Sequence, residues 1–262
     1  MSPPKPRRRW LQFRLRTLLI AVTLVSLPLG YVAWEREQCR QGQQAMEILE
    51  QRSEYDGATR RLGRLITPSY EHSKWLKSIL GDDEFRRVIT VSLEGNSVSD
   101  SDLQVLAIFP NLDFVVIESQ NVTDEGIAHL RGLKKVERFH FIGNWKVSEN
   151  CWEVLGRWHH LRELSFHDSL FDDDDVLTLP ALLNLKELRL SQTIISDAGL
   201  ERISWLTSLE SLDLSSTQVS DTGLVHLRRL VNLKELSVKN TNVTDKGVKE
   251  LQKALPKTFT SY

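Results

Sequence analysis

Residues 209–232 read LESLDLSSTQVSDTGLVHLRRLVN, and residues 233–256 repeat the same 24-residue pattern as LKELSVKNTNVTDKGVKELQKALP. The shared pattern is LxxLxLxxTxVSDxGLxxLxxLxx, and seven copies of it cover residues 88–256. The first, fourth and sixth positions are apolar in all seven copies. Such regularity is typical of a solenoid, in which each unit buries its apolar faces only by stacking on its neighbours. The copies begin at Val88, Leu112, Val136, Leu161, Leu185, Leu209 and Leu233.

Within each copy, the pattern predicts a strand, a turn and a helix. Leu212 and Leu214 alternate with polar residues, as in a strand that has one buried face. The ninth position is polar in every copy, and its side chain is expected to hydrogen-bond the turn backbone. A hydroxyl residue and an aspartate follow, as in Ser220-Asp221, where they can cap the free N–H groups of the next helix. That helix turns Leu224 and its apolar neighbours towards the core.

This pattern resembles the 24-residue form of the leucine-rich repeat, and the resemblance covers residues 88–256. It implies an α/β solenoid with a parallel sheet on the concave face and helices on the convex face. Further along the N-terminal side, WLQFRLRTLLIAVTL (10–24), WLKSILGDDEF (75–85) and VITVSLEGNSVSD (88–100) together look like planctomycete-type membrane-anchored leucine-rich repeat proteins. That narrower resemblance implies an anchor, a stalk, a cap and a solenoid, and it adds no biochemical activity.

An uncharged stretch near the N-terminus predicts a membrane anchor. Residues 17–34 carry no charged side chain, and eighteen helical residues rise about 27 Å, close to the thickness of the hydrocarbon core. Residues 1–16 hold six basic residues and no acidic one, so this tail is expected to stay in the cytoplasm. The rest of the chain is then expected outside the cytoplasm, in a periplasmic location at the cell membrane. A cleaved signal peptide is the alternative, although the residues around Gly30 and Ala33 suit cleavage poorly.

Composition sets the remaining boundaries. Residues 35–74 are predicted to be a juxtamembrane stalk and linker. Its first part, residues 35–52, is a helix with Ala45 and Leu49 on its apolar face, and residues 53–74 are a loop-rich linker. Residues 75–87 are predicted to be an N-terminal cap, because a solenoid needs its open end covered. Residues 257–262 are predicted to be a C-terminal tail.

Charge and missing motifs exclude several functions. The chain has a formal net charge of -1, but beyond the basic tail it holds 28 basic and 35 acidic residues, a net charge of -7. An acidic body argues against nucleic acid as a partner. The sequence contains no nucleotide-binding glycine loop, no serine-hydrolase elbow and no zinc-protease helix. Because the anchor, the stalk and the repeats account for the whole chain, neither an enzymatic activity nor a cofactor is predicted.

The third, fifth and seventh positions of each copy define the candidate binding surface. Their side chains are expected to point away from the core, on a concave surface that we call the open face of the sheet. Apolar residues on an otherwise polar face predict a contact site for a protein or peptide. The alternative is that residues 53–74 fold over these apolar residues. The predicted protein-binding residues are Phe114, Val116, His140, Ile142, His167 and Arg189.

Three other groups of residues suggest chemistry but also have simpler explanations. Asp172–Asp175 could supply oxygen ligands to calcium, or could cap a helix at the position that capping residues occupy in the other copies. His140 and His167 are expected on neighbouring strands but offset from each other, and a metal site needs three or four converging ligands. Cys151 is assigned to the apolar position of Leu224 and is therefore predicted to be a buried thiol.

Together these features predict a single-pass membrane protein whose repeats bind a protein or peptide outside the cytoplasm. The alternative is a structural envelope spacer, or a scaffold that associates with itself, without a specific soluble ligand. The membrane and an unidentified protein are thus the expected partners.

Overall fold

The computed structural model describes residues 59–65, 87–109, 111–143, 149–177, 179 and 182–262, together with helical residues 37, 40–42, 44–45, 47–49 and 51–52. In this part of the chain, no helix is both long and apolar enough to cross a bilayer. The predicted tail at 1–16, the predicted span at 17–34 and residues 75–86 of the predicted cap at 75–87 lie outside the described residues.

Within the described residues, nine strands form one sheet, in the order in which they occur along the chain. The first strand runs antiparallel to the second, and every later neighbouring pair is parallel. Each repeat supplies one of the second to eighth strands, and the ninth strand follows the last repeat. The strands are β1 (Thr59–Leu65), β2 (Arg87–Glu94), β3 (Phe114–Glu118), β4 (Arg138–Ile142), β5 (Glu163–His167), β6 (Glu187–Arg189), β7 (Ser211–Asp213), β8 (Glu235–Ser237) and β9 (Phe259–Ser261).

A second layer consists of one short helix per repeat, and the apolar core lies between this layer and the sheet. The predicted hydroxyl caps are confirmed: the side chain of Ser220 accepts the N–H of Thr222, and that of Ser196 accepts the N–H of Ala198. The helices are Asp100–Leu106, Asp124–His129, Glu149–Leu155, Asp173–Leu177, Asp197–Ile203, Asp221–Leu224 and Asp245–Ala254. Short 3-10 turns at Leu130–Gly132 and His226–Arg229 extend two of them.

In several repeats, the aspartate that follows the capping hydroxyl connects its repeat to the next one. Asp197 Oδ1 accepts the backbone N–H of Ser220 at 2.7 Å, and Asp197 Oδ2 accepts the Ser220 hydroxyl at 2.6 Å. Asp221 holds Thr244 in the same way, at 2.7 and 2.6 Å. We call this arrangement the inter-repeat clamp. The sequence predicts that these carboxylates cap their own helices, whereas the structure shows that they satisfy polar groups at the start of the helix in the following repeat.

The clamp explains why a glycine stands two residues after the aspartate. A Cβ atom on Gly223 would lie 2.3 Å from Asp197 Oδ1, and a Cβ atom on Gly247 would lie 2.0 Å from Asp221 Oδ1. These distances are far shorter than any van der Waals contact, so the carboxylate of one repeat occupies the space that a side chain would need in the next. The glycine is therefore required by packing between repeats.

A tight turn ends each strand of the later repeats. The residue at the eighth position adopts a left-handed backbone conformation, with φ of 58° at both Gln192 and Ser216. The threonine that follows donates its hydroxyl to the carbonyl three residues earlier, as in Thr217 to Leu214 at 2.6 Å. For Thr193, Thr217 and Thr241, this bond confirms the expectation that the ninth side chain satisfies the turn backbone, where the sheet offers no partner.

The N-terminal end of the solenoid differs from the prediction. Residues 53–74 are predicted to be a loop-rich linker, but β1 lies within them and pairs with β2, so it covers the free edge of the first repeat strand. From the predicted stalk helix, Ala45 and Leu49 are buried in the core, and Arg52 lies 2.8 Å from the carboxylate of Asp102. Stalk residues thus take part in covering this end, because their apolar face packs on the first repeat.

The C-terminal end also differs from the prediction. The predicted tail at 257–262 contains β9, which continues the parallel sheet beside β8. The side chain of Thr258 is buried and donates its hydroxyl to the Leu233 carbonyl at 2.7 Å. An eighth parallel strand therefore completes the hydrogen bonding of the last repeat.

Replacing Gly223 with alanine tests the inter-repeat clamp. Because the new methyl group would collide with Asp197 Oδ1, we expect Gly223→Ala to lower the free energy of unfolding by about 2–3 kcal/mol. Chemical denaturation followed by circular dichroism measures this loss. Gly132→Ala is the matched control, since a Cβ atom there meets no atom within 4 Å.

The double variant separates the clamp from a general intolerance of alanine. Combining Gly223→Ala with Asp197→Ala removes the colliding carboxylate, so the two losses should be clearly less than additive. Additive losses would contradict the clamp.

Candidate functional site

The open face arranges the predicted binding residues in three rows across the strands. In the first row, Phe114 of β3 pairs with Arg138 of β4, which pairs with Glu163 of β5. In the second row, Val116 pairs with His140, and in the third row, Ile142 pairs with His167. The parallel register aligns like positions of successive repeats, so side chains about 24 residues apart in sequence become neighbours.

Phe114 is half-buried and in contact with polar groups. The guanidinium carbon of Arg138 lies 4.2 Å from the centre of the Phe114 ring, and the His140 ring meets the Phe114 ring edge-on at a centroid distance of 4.9 Å. Such contacts of a cation and a ring edge with a π-system are attractive. The apolar residues that the sequence predicts as a contact site are therefore partly covered by charged and polar side chains of the same face.

Glu163 is the centre of this site. Its Oε1 atom lies 2.6 Å from His140 Nε2, and the same oxygen accepts a hydrogen bond from Arg189. Because an ionised carboxylate has only acceptor atoms, the Nε2 atom of His140 carries the proton and donates this hydrogen bond to Glu163. Arg189 also forms an ion pair with Glu187, so the cluster reaches β6. We call these residues, with Phe114 and Arg138, the Glu163 cluster.

Burial and charge together set the pKa values in the Glu163 cluster. Burial lowers the pKa of His140 below its ordinary value, while the carboxylate of Glu163 acts in the opposite direction. Burial acts to raise the pKa of Glu163, but the hydrogen bonds from Arg189 and His140 outweigh it and hold that pKa below the usual range. For Glu187, burial prevails over Arg189 and raises the pKa. At neutral pH the cluster therefore combines a neutral imidazole with an ionised Glu163 and two guanidinium groups.

The other predicted residues lie beside the cluster and are not part of it. His167 Nδ1 lies 2.8 Å from the hydroxyl oxygen of Ser191, and Ile142 pairs with His167 across β4 and β5. Val116 and Ile142 are both half-buried, so each keeps some apolar surface on the open face. His140 and His167 occupy different rows, as the sequence predicts, and they do not converge on one point.

The sequence prediction missed three members of the cluster, Arg138, Glu163 and Glu187. Each stands at the third position of its repeat, which is predicted to lie on the open face. The available signal was the pairing of opposite charges between neighbouring repeats, because like positions align across a parallel sheet. Glu163 in particular joins side chains from β4 and β6 that are 49 residues apart in sequence.

Within Asp172–Asp175, the carboxylates of Asp172 and Asp175 cap the start of the helix. Asp172 Oδ1 accepts the backbone N–H groups of Asp174 and Asp175, at 3.0 and 3.1 Å, while Asp175 Oδ2 accepts the N–H of Asp172 at 2.9 Å. Asp173 belongs to the inter-repeat clamp and accepts the N–H of Ser196 at 2.9 Å. Among the described residues, no group of three or more His, Cys, Asp or Glu side chains is placed to hold a metal ion.

Cys151 is buried, as predicted, but its assigned position in the repeat is wrong. It stands two residues after Glu149, the first residue of its helix, just as Gly223 stands two residues after Asp221. Cys151 therefore replaces the clamp glycine, and Trp152 takes the apolar position of Leu224. Burial, with the nearby carboxylates of Asp124 and Asp175, raises the pKa of the thiol well above its ordinary value, so Cys151 stays protonated and unreactive.

Comparisons with known proteins support the repeat assignment. A leucine-rich repeat family model matches residues 206–227 and 229–251, which lie in the last three repeats. No curated protein matches the chain. An internalin of Listeria monocytogenes, InlF, superposes with a TM-score of 0.51 at 21% identity, over 66% of this chain and 47% of the internalin. This chain therefore spans about half the length of that internalin.

Two further solved structures give lower scores. An internalin C2 of Listeria monocytogenes has a TM-score of 0.48 at 20% identity, over 66% of this chain and 80% of its own. A protein of Bacteroides fragilis has a TM-score of 0.41 at 21% identity, over 62% of this chain and 51% of its own. The stacked repeats, the parallel sheet with its layer of helices and the family model agree, and the chain accordingly contains leucine-rich repeats in a solenoid-like fold.

Proposed function

We propose that this chain is a single-pass membrane protein whose leucine-rich repeats bind a protein or peptide partner through the open face, outside the cytoplasm. The observation that carries the proposal is the Glu163 cluster, which joins side chains of four successive strands on one surface. Its members hold one another in place, which reduces the conformational entropy that binding would cost. The half-buried Val116 and Ile142 beside it supply apolar contact area.

The chemistry of this surface favours a polypeptide as the ligand. Side chains of both charges, an aromatic ring and aliphatic groups lie within a few strands, and protein interfaces combine the same elements. Arg189 is 36% exposed while it is held by two carboxylates, so it offers further donors to a partner. A binding role of this kind requires no cofactor.

Reversing the charge of Arg189 tests the open face. A photo-crosslinking amino acid replaces Val116 in the full chain, and covalent adducts are collected from native membranes and identified by mass spectrometry. We expect a discrete adduct with another protein, reduced at least tenfold by Arg189→Glu, because Glu163 and Glu187 would then face a third carboxylate. Lys239→Glu is the matched control, since Lys239 lies on the same face, is exposed and makes the same change of charge outside the cluster.

Two outcomes would contradict this proposal. An equal adduct from a crosslinker at Val225, which is 49% exposed on the helix layer, would remove the open face as the interface. Adducts formed only between copies of this chain would favour the self-associating scaffold instead.

The balance of charges around His140 can be tested directly by its titration. Because the Glu163 carboxylate raises the pKa of His140 against the effect of burial, Glu163→Gln should lower that pKa further. Arg189 acts to lower the same pKa, so Arg189→Gln should raise it. Titration of the imidazole resonances by nuclear magnetic resonance measures both shifts. A higher pKa for His140 in Glu163→Gln would show that the two side chains are not in contact.

The membrane topology rests on the charge distribution around residues 17–34 and on the similarity of the N-terminal motifs to planctomycete-type anchored proteins. Carrying a Lys or Arg through the centre of the bilayer costs roughly 2.5–3.5 kcal/mol each, so the basic tail should remain in the cytoplasm. Alkaline phosphatase fused after Tyr262 should be active, since this enzyme needs an oxidising compartment for its disulfides. A green fluorescent protein fused at the same site should be dark if it is exported unfolded.

Neutralising the six basic residues of the tail provides the control for topology. This change should reduce phosphatase activity and mix the two orientations, since the charge asymmetry would be gone. An inactive phosphatase with bright fluorescence in the unaltered chain would place the repeats in the cytoplasm and overturn the topology.

A further inference from the structure

The corners that lead from the helix layer to the next strand form one continuous edge. Each corner consists of the last five residues of a repeat and the two residues that follow them. Side chains join successive corners, since Asn184 Nδ2 donates to the His159 carbonyl at 2.9 Å and Asn232 Nδ2 donates to the Thr207 carbonyl at 2.9 Å. The seven corners therefore lie side by side, and we call them the helix-to-strand edge.

Positive charge is concentrated on the helix-to-strand edge. The seven corners hold eleven Lys or Arg and three Asp or Glu, a net charge of +8 in a chain whose total is -1. All eleven basic side chains are exposed. Among the acids, Glu210 is held by Lys186 at 2.6 Å and by Lys234, which lowers the pKa of Glu210 to about 2. Six of the eleven cations form ion pairs with Glu137, Glu153, Glu210 or Glu250, and positive charge still exceeds negative charge along this edge.

The opposite edge of the solenoid has the opposite charge. The seventh to fourteenth residues of the repeats, counting the extra residue of the third, hold thirteen Asp or Glu and three Lys or Arg, a net charge of -10. The positive edge is therefore specific to one side of the molecule. A negatively charged surface would attract that side and repel the other.

Large apolar side chains are exposed among these cations. Leu183, Trp205 and Val231 stand in the corners of three successive repeats, with 69%, 64% and 74% of their surface exposed. The guanidinium carbon of Arg229 lies 4.3 Å from the centre of the Trp205 ring. Exposed tryptophan and aliphatic groups surrounded by Lys and Arg are typical of surfaces that lie at the interface of a bilayer.

A basic hollow lies on the same edge, between the third and fifth repeats. Its volume is about 330 Å³, enough for a phosphate group, and every lining side chain is basic or an amide. The lining residues are His159, His160, Arg162, Asn184 and Lys186.

We propose that the helix-to-strand edge docks on the surface of an anionic lipid bilayer. Trp205, Leu183 and Val231 enter the headgroup region, while the surrounding cations contact lipid phosphates. A soluble polyanion would account for the cations but would give the three exposed apolar side chains no role. The docked edge leaves the open face unobstructed, so this inference holds whether or not that face binds a protein.

The depth of two spin labels in vesicles tests this docking. The full chain carries a nitroxide label either at Val231→Cys or at Ile194→Cys. The substitution Cys39→Ser leaves the buried Cys151 as the remaining native thiol. Ile194 is the matched control, since it is 46% exposed and lies on the opposite edge. The accessibility of each spin label to oxygen and to a water-soluble nickel complex is measured and compared between phosphatidylglycerol-rich vesicles and pure phosphatidylcholine vesicles. Any contribution from residues 17–34 is common to both kinds of vesicle.

For the label at 231, we expect the ratio of oxygen accessibility to nickel accessibility to rise at least threefold in the anionic vesicles alone. The label at 194 should remain exposed to water in both kinds of vesicle. Replacing Arg228, Arg229 and Lys234 together with Gln should return the label at 231 to water. An aqueous label at 231 in both vesicles would overturn the proposal, and so would equal insertion in both. Immobilisation of the label by dextran sulfate, without insertion into anionic vesicles, would assign the edge to soluble polyanions instead.

Discussion

The solenoid depends on one repeated interaction, in which a carboxylate of one repeat accepts both an N–H and a hydroxyl from the next. Asp197 and Ser220 form one such clamp, and Asp221 and Thr244 form another. Each clamp satisfies polar groups at the start of a helix, and these groups have no partner within that helix. It also fixes the distance between neighbouring helices, because the carboxylate lies where a side chain at the next glycine would be. Apolar burial drives the stacking, and the clamp sets its spacing.

The repeats themselves could be predicted from sequence because their signal is local and recurs seven times. The parts that were missed depend on partners far along the chain. β1 lies in a segment without the repeat pattern, and its pairing with β2 follows from the exposed edge of that strand rather than from its own residues. The clamp was missed for a related reason, since Asp197 is equally suited to cap its own helix, and only the stacked structure shows that its partner is Ser220.

In the candidate site, too, the local features could be predicted from sequence and the contacts between distant repeats could not. Alternation in each strand was sufficient to place Phe114, His140 and Arg189 on the open face, and the structure brings these three close together. The importance of Glu163 could not be read from its own repeat, because its partners come from the strands on both sides. Its position in the centre of a parallel sheet changes an apolar patch into a mixed surface. A partner would meet fixed hydrogen-bond donors and acceptors in addition to aromatic and aliphatic area.

The clamp also has a consequence for the way such a chain changes over generations. Its two halves belong to different repeats, with the carboxylate on one side and the hydroxyl residue and glycine on the other. Loss of one whole copy, such as residues 209–232, would bring Asp197 opposite Thr244 and Gly247, which are the matching half of the same lock. Unequal recombination among the clamped copies can therefore shorten or lengthen the array in steps of 24 residues without creating a mismatched junction. The third and fourth copies carry Cys151 and Asp175 in place of the glycine and so lack the receiving half of the clamp, although Asp173 of the fourth copy still supplies the carboxylate half.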